Sequence, residues 1–130
     1  MPPDDVAAVL AAETGSRVQI SGARAANLLG LTDQVPAQLV YFTDGPAHRV
    51  KIGAQTIQLK PARPSRFPGA GTPAGLALQA IRAVGPNADK DFVVRQLSRA
   101  LSARDRAQLA KLIKHAPAWS HDIIRQLRGT

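Results

Sequence analysis

Three histidines, nine acidic side chains and seventeen lysines and arginines are the groups in this sequence best able to do chemistry. The histidines do not gather. His48 lies in a segment of strand character, while His115 and His121 stand on either side of Pro117, which breaks any helical face they would share. No glutamate follows a histidine at the spacing of a zinc-binding helix, so no metal site is expected. Glu13 is the only glutamate. Asp4 and Asp5 suit a helix start, Asp44 a turn, and Asp89, Asp91 and Asp105 helix caps. A hydrolase of the paired-carboxylate kind needs two acids in one pocket, and no pair here lacks a simpler structural role. Gly69-Ala70-Gly71-Thr72-Pro73 leads into a helix but lacks the Gly-Lys-Ser/Thr ending of a phosphate cradle, and Pro73 removes one amide donor. Ser21-Gly22 suits a cap better than a nucleophile elbow. No catalytic residue and no cofactor is expected, and the chain reads as a binding protein rather than an enzyme.

The cations are the positive signal. The net charge is +8, and it is unevenly spread: residues 1–65 hold six Lys/Arg against five Asp/Glu, residues 66–130 eleven against four. An excess in one half suits an anionic partner. Arg95 and Arg99 stand at i and i+4, opposite the apolar Val93 and Leu97. Arg104, Lys111 and His115 fall on one side of the next helical segment, with Lys114 beside them. His121, Arg125 and Arg128 recur at i, i+4 and i+7 on the last. The expected nucleic-acid-binding residues are therefore Arg95, Arg99, Arg104, Lys111, Lys114, Arg125 and Arg128. Such a face attracts phosphates and releases counterions; the plainer alternative is a solvated surface. Phe92 and Trp119 read as core, so stacking on single strands is not expected to dominate. Duplex DNA or a structured RNA backbone is the expected target.

The elements that must carry these residues read as an α+β fold. Residues 3–14 form a helix opened by Pro3 and closed by Gly15. A short strand follows at 17–20, then a helix capped by Ser21 and ended by Gly30. Residues 39–43, 48–52 and 56–60 alternate as strands, separated by Asp44-Gly45-Pro46 and Gly53-Ala54-Gln55. Short connections predict a small antiparallel β-meander, because parallel pairing needs long crossovers. It would pack with the N-terminal helices and with a C-terminal bundle of about four helices. These start near 74, at Asp89, at the Ser102-Ala103-Arg104-Asp105 capping box, and at Pro117. One domain over 1–130 is expected, with a helix, strand and meander part at 3–60, a Pro/Gly-rich loop at 61–73 and a basic helical part at 74–129. Cysteine is absent. No signal-peptide pattern and no run near ~20 apolar residues occurs. A cytoplasmic protein without membrane contact is expected.

Several segments in order resemble the core of AbiEi-like antitoxins, the bacterial antitoxins of type IV toxin–antitoxin systems. They are Ser21-Gly22-Ala23-Arg24-Ala25-Ala26-Asn27-Leu28-Leu29-Gly30-Leu31, Gln34-Val35-Pro36-Ala37, Tyr41-Phe42-Thr43-Asp44-Gly45-Pro46 and Val50-Lys51-Ile52-Gly53. Ala77-Leu78-Gln79-Ala80-Ile81-Arg82 and Ala116-Pro117-Ala118-Trp119 agree in kind. The resemblance implies a non-enzymatic core that counteracts a nucleotidyltransferase-like toxin and takes part in transcriptional regulation. It also implies a DNA-binding winged helix ahead of that core. The sequence shows none before residue 4, as in either a naturally short member or a fragment, and the basic helices are then expected to bind alone or with a DNA-binding partner chain. Two rival readings accompany this one: an interaction module that neutralises a protein partner through the 61–73 loop or the sheet, and an unrecognised enzyme. Asn27, on the polar side of an apolar-rich helix, is expected to tie down the loop at 33–36 rather than to meet a ligand.

Overall fold

Pro3 at the first helical position and Asp4 and Asp5 in the first turn open helix α1, Pro3–Ala12, as the missing proline donor and the helix dipole favour. The computed structural model describes residues 2–20, 22–63, 66 and 68–129. Strand β1 is Val18–Ile20 and helix α2 is Gly22–Leu28; the expected cap at Ser21 lies outside the described residues. Strands β2, Gln38–Thr43, β3, His48–Ile52, and β4, Gln55–Pro61, follow. Helices α3, Pro73–Val84, α4, Lys90–Ala100, α5, Ala103–Lys111, and α6, His121–Arg128, complete an α+β fold.

The sheet is not a meander. Its order is β1-β2-β4-β3, with β2 and β4 parallel and the other two pairings antiparallel. The strand segments are where the alternation puts them, but β4 is inserted between β2 and β3. Residues 44–47 link β2 to β3. Four residues reach ~13 Å when extended, enough to step over one strand at ~4.8 Å spacing per neighbour. A short connection thus makes β2 and β3 run in opposite directions without making them neighbours. Composition explains which strand takes the centre. Ile57 and Leu59 of β4 are buried, whereas Arg49, Lys51 and Ile52 of β3 are exposed. A strand bearing Arg and Lys suits an edge, where charge also discourages pairing with other chains.

One face of the sheet packs on α1: Leu39, Tyr41, Ile57 and Leu59 meet Ala7 and Ala11. A larger apolar cluster joins α2 to α6 through residues such as Ala25, Leu78, Ile81, Leu97, Leu109 and Ile123. Ile20 on β1 packs against both clusters. Local caps set the helix starts. Thr72 accepts from the Gly75 amide and Asp89 from the Phe92 amide. Ser102 and Asp105 exchange side-chain and backbone bonds as a capping box. The Gly69–Pro73 turn is used by the fold: the Thr72 amide donates to Gly69 O at 3.0 Å and the Gly71 amide to Gln19 Oε1 at 3.3 Å. Among the described residues, no helix is long and apolar enough to cross a membrane.

Candidate functional site

The basic helical face rests on amphipathic helices whose apolar sides are taken up by the core. Val93, Val94 and Leu97 bury one side of α4, and Arg95 and Arg99 stand exposed on the other. Ile123, Ile124 and Leu127 bury one side of α6, leaving Arg125 and Arg128 exposed. Arg104 and Lys111 are exposed near the two ends of α5, and Lys114 is exposed just beyond it. Helix α6 packs against both α4 and α5. All seven expected residues therefore reach solvent. Of the seven, only Arg125 pairs with a carboxylate among the described residues, at 3.3 Å from Asp122. Arg106, on the same helix as Arg104, turns inward and donates to the Ser98 and Leu101 carbonyls at 3.1 and 2.9 Å.

Three expectations about this region change. The single helix expected to carry Arg104, Lys111, Lys114 and His115 ends at Lys111, and Ile113–His115 is a separate 3-10 turn. With three residues per turn the phase of the face is lost. His115 is half-buried, and its carbonyl accepts a bond from Arg82. The helix expected to start at Pro117 begins at His121, after a 3-10 turn at Ala118–Ser120. Phe92 is not core: it is 38% exposed on α4 and lines an apolar groove with Ala23, Ala26, Leu31 and Val84. Trp119 does pack, half-buried, against the helical core. The histidines stay apart. His121 Nε2 lies 3.1 Å from Ala116 O, and His48 Nε2 is enclosed without a hydrogen-bond partner. Among the described residues no three His, Cys, Asp or Glu could hold a metal together.

A polar network that the sequence does not reveal sits between α1, α2 and β2. Arg24 grips Asp4 at two points, Nε to Oδ1 at 3.2 Å and Nη2 to Oδ2 at 2.9 Å, and Tyr41 donates its hydroxyl to Asp4 Oδ1. Burial works to raise the Asp4 carboxyl, but the bonds from Arg24 and Tyr41 and the Arg24 charge hold it below the usual carboxylate range. Burial and the Asp4 carboxylate push the Tyr41 hydroxyl upward. Arg24 Nη1 also donates to Asn27 Oδ1 at 3.3 Å. Asn27 Nδ2 in turn donates to Gln34 O at 3.0 Å and Thr32 O at 3.4 Å, the loop-tying role expected of it. Every polar group here has a partner within the fold, so the network positions elements.

The sequence profile of DUF6088, a family of unknown function, matches residues 2–109. The chain belongs to this family. The match runs from α1 into α5, so it includes Arg95, Arg99 and Arg104 and leaves α6 beyond it. No curated protein and no solved structure matches the chain.

This DUF6088 chain carries a second cationic group that helical periodicity does not report. On the sheet face turned away from α1, Phe42 and its register partner Lys60 lie side by side on β2 and β4. Phe42 and Arg66 line two neighbouring clefts. Lys60 and Arg63 complete one, of about 520 Å³, and Gln79 and Arg82 the other, of about 270 Å³. Gln79 Nε2 and Arg82 Nη1 both donate to Arg66 O, at 3.2 and 3.4 Å, which ties Arg66 to α3. Among the described residues no Asp or Glu lines either cleft. Burial and the neighbouring Arg66 charge lower the Arg82 guanidinium from its ordinary value. These cations come from a strand, a loop and a helix. The signal within the sequence was the strand alternation, which turns Phe42 and Lys60 away from buried Tyr41 and Leu59.

Proposed function

We propose that this chain is a non-enzymatic antitoxin or transcriptional-regulator core that counteracts a nucleotidyltransferase-like toxin in the bacterial cytoplasm and binds duplex nucleic acid through its late helices. The observation that carries the nucleic-acid part is the exposure of Arg95, Arg99, Arg104, Lys111, Lys114, Arg125 and Arg128, with one carboxylate pairing among the seven. Exposed cations of this kind neutralise phosphates and gain affinity from released counterions. The antitoxin part is supported by the ordered resemblance from Ser21 to Trp119. Replacing Arg95, Arg99 and Lys111 together by Ala should weaken duplex binding on every sequence tested, because phosphate contacts position without reading bases. Gel-shift titration at fixed salt measures this, and unchanged affinity removes the helical surface. Rescue of cells expressing an adjacent nucleotidyltransferase-like gene tests the antitoxin role.

A second reading, a module that acts on a protein partner without nucleic acid, draws on the groove beside Phe92. It is about 670 Å³, mostly apolar, and bounded by α2, the loop after it, α3 and α4. Exposed aromatic side chains in apolar grooves are favoured anchors for partners. Rescue from toxicity that survives the triple substitution but is lost in Phe92→Ser would favour this reading.

A further inference from the structure

The clefts around Phe42 face a different direction of chemistry from the late helices. Lys60, Arg63 and Arg66 line one cleft with Phe42, Arg66 and Arg82 line the other, and among the described residues no acid lines either. Cations assembled without a counter-charge repel one another and lose hydration, a cost that an anion in the cleft offsets. Arg82 feels both effects, being half-buried and beside Arg66. Its geometry is held independently of any ligand, since Nη2 donates to His115 O and Nη1 to Arg66 O. The remaining donors of Arg66, Arg63 and Lys60 are directed by exposed side chains. Among the described residues none of the four has a carboxylate partner. A guanidinium cluster of this kind matches the planar, many-acceptor surface of a phosphate.

Phe42 decides which phosphate. It is half-buried at the junction of the two clefts, held by β2 with Lys60 beside it. A free anion gains nothing from an aromatic floor, whereas a base stacks on one without regard to its identity. The larger cleft, at about 520 Å³, falls within the roughly 300–1,000 Å³ of ordinary ligand sites. A base held inside a duplex could not reach this floor. We propose that the Phe42 clefts bind an unpaired nucleotide of a nucleic acid, with the phosphate held by Lys60, Arg63, Arg66 and Arg82 and the base stacked on Phe42. The site shares no residue with the α4–α6 face, so it stands or falls separately from the duplex-binding reading.

The test is fluorescence-anisotropy titration of the full chain with a short single-stranded oligothymidylate and, in parallel, with a blunt duplex. Phe42→Leu should weaken the single strand about tenfold, the scale of one lost base–aromatic stack, and Phe42→Tyr should restore it. Arg63→Ala with Arg66→Ala should weaken the single strand and flatten its salt dependence while leaving the duplex unchanged. The Arg95/Arg99/Lys111 triple variant should do the reverse. Inorganic pyrophosphate supplies the discriminating arm: it should compete with the oligonucleotide poorly. Equal single-strand affinity in the wild type and the Arg63/Arg66 variant overturns the proposal, and both positions are exposed enough to be altered without unfolding the chain. Tight pyrophosphate binding with oligonucleotide affinity insensitive to Phe42→Leu also overturns it, leaving an anion site without base recognition.

Discussion

Arg24 and Asp4 meet at two points, Nε to Oδ1 at 3.2 Å and Nη2 to Oδ2 at 2.9 Å, and so fasten α2 to the first turn of α1. Their side chains are 20% and 26% exposed, sheltered enough for the pair to resist screening better than a surface pair. Arg24→Ala would leave Asp4 with Tyr41 alone and would free Asn27 Oδ1. The expected loss is about 1.5–3 kcal/mol, the range for hydrogen bonds to charged groups. Urea unfolding monitored at Trp119 measures it. Tyr41→Phe, which removes one bond to Asp4, should cost less.

The same pair sets an acid limit. Asp4 is held below its ordinary pKa, so between its folded value and about 3.9 the unfolded chain binds a proton that the folded chain does not. The stabilisation is therefore complete above the ordinary carboxylate pKa and is lost as pH falls through the depressed folded value. Urea midpoints should hold steady from neutral pH to mild acid in this respect and then decline. In Asp4→Asn the neutral-pH midpoint should be lower and the acid decline shallower. Parallel curves for the two proteins would contradict the assignment.

Asn27 gives a local prediction. Its amide holds the Gln34 and Thr32 carbonyls, the loop between α2 and β2. Asn27→Leu should cost about 1–2 kcal/mol, because it leaves those bonds and Arg24 Nη1 unmatched. Amide exchange should accelerate across residues 31–37 more than in β4.

Gly75 shows a sign reversal. An alanine replacing glycine inside a helix ordinarily stabilises by up to ~1 kcal/mol. At Gly75 the added Cβ would lie 2.2 Å from Gly69 O, a backbone atom of the turn that feeds α3. The turn or the helix must move, so Gly75→Ala should destabilise by about 1–3 kcal/mol, as overpacking does. A thermal midpoint at or above that of the wild type would contradict this packing.

Duplex affinity should fall with salt at a log–log slope near −0.9 per phosphate contact. Arg99→Ala should shallow that slope by about one contact. Arg125→Ala should have a smaller effect on affinity, since Arg125 is already shared with Asp122. Asp122→Asn should raise duplex affinity by releasing it. Titrations at several salt concentrations separate these variants.

Much of the local structure was legible. Asp89 and the Ser102–Asp105 box mark helix starts because unsatisfied amides at a helix end recruit nearby side chains, and Pro3 marks one because its fixed φ and missing donor suit a first turn, requirements local in sequence. Alternation placed the strands for a similar reason: Ile57 and Leu59 must face one way. The outward set of each late helix also followed from periodicity, since burying Val93 and Leu97 forces Arg95 and Arg99 outward. Phe92 escaped this logic because it lies at the border of α4's apolar side, where only the position of α2 determines exposure. The family match adds a grouping over residues 2–109 without assigning an activity.

Hydrophobic periodicity and capping chemistry act over a few residues, and for that reason the chain's own order of residues determined the element types, most helix starts and the exposure of the late arginines. Strand order, the Asp4–Arg24–Tyr41 network and the cations around Phe42 were decided only by the tertiary structure. Each joins residues far apart along the chain, as Asp4 and Tyr41 or Lys60 and Arg82 are. No local spacing encodes whether β4 pairs on one side or two; the competition between burying Ile57 and Leu59 and solvating Arg49 and Lys51 settles it in the folded sheet.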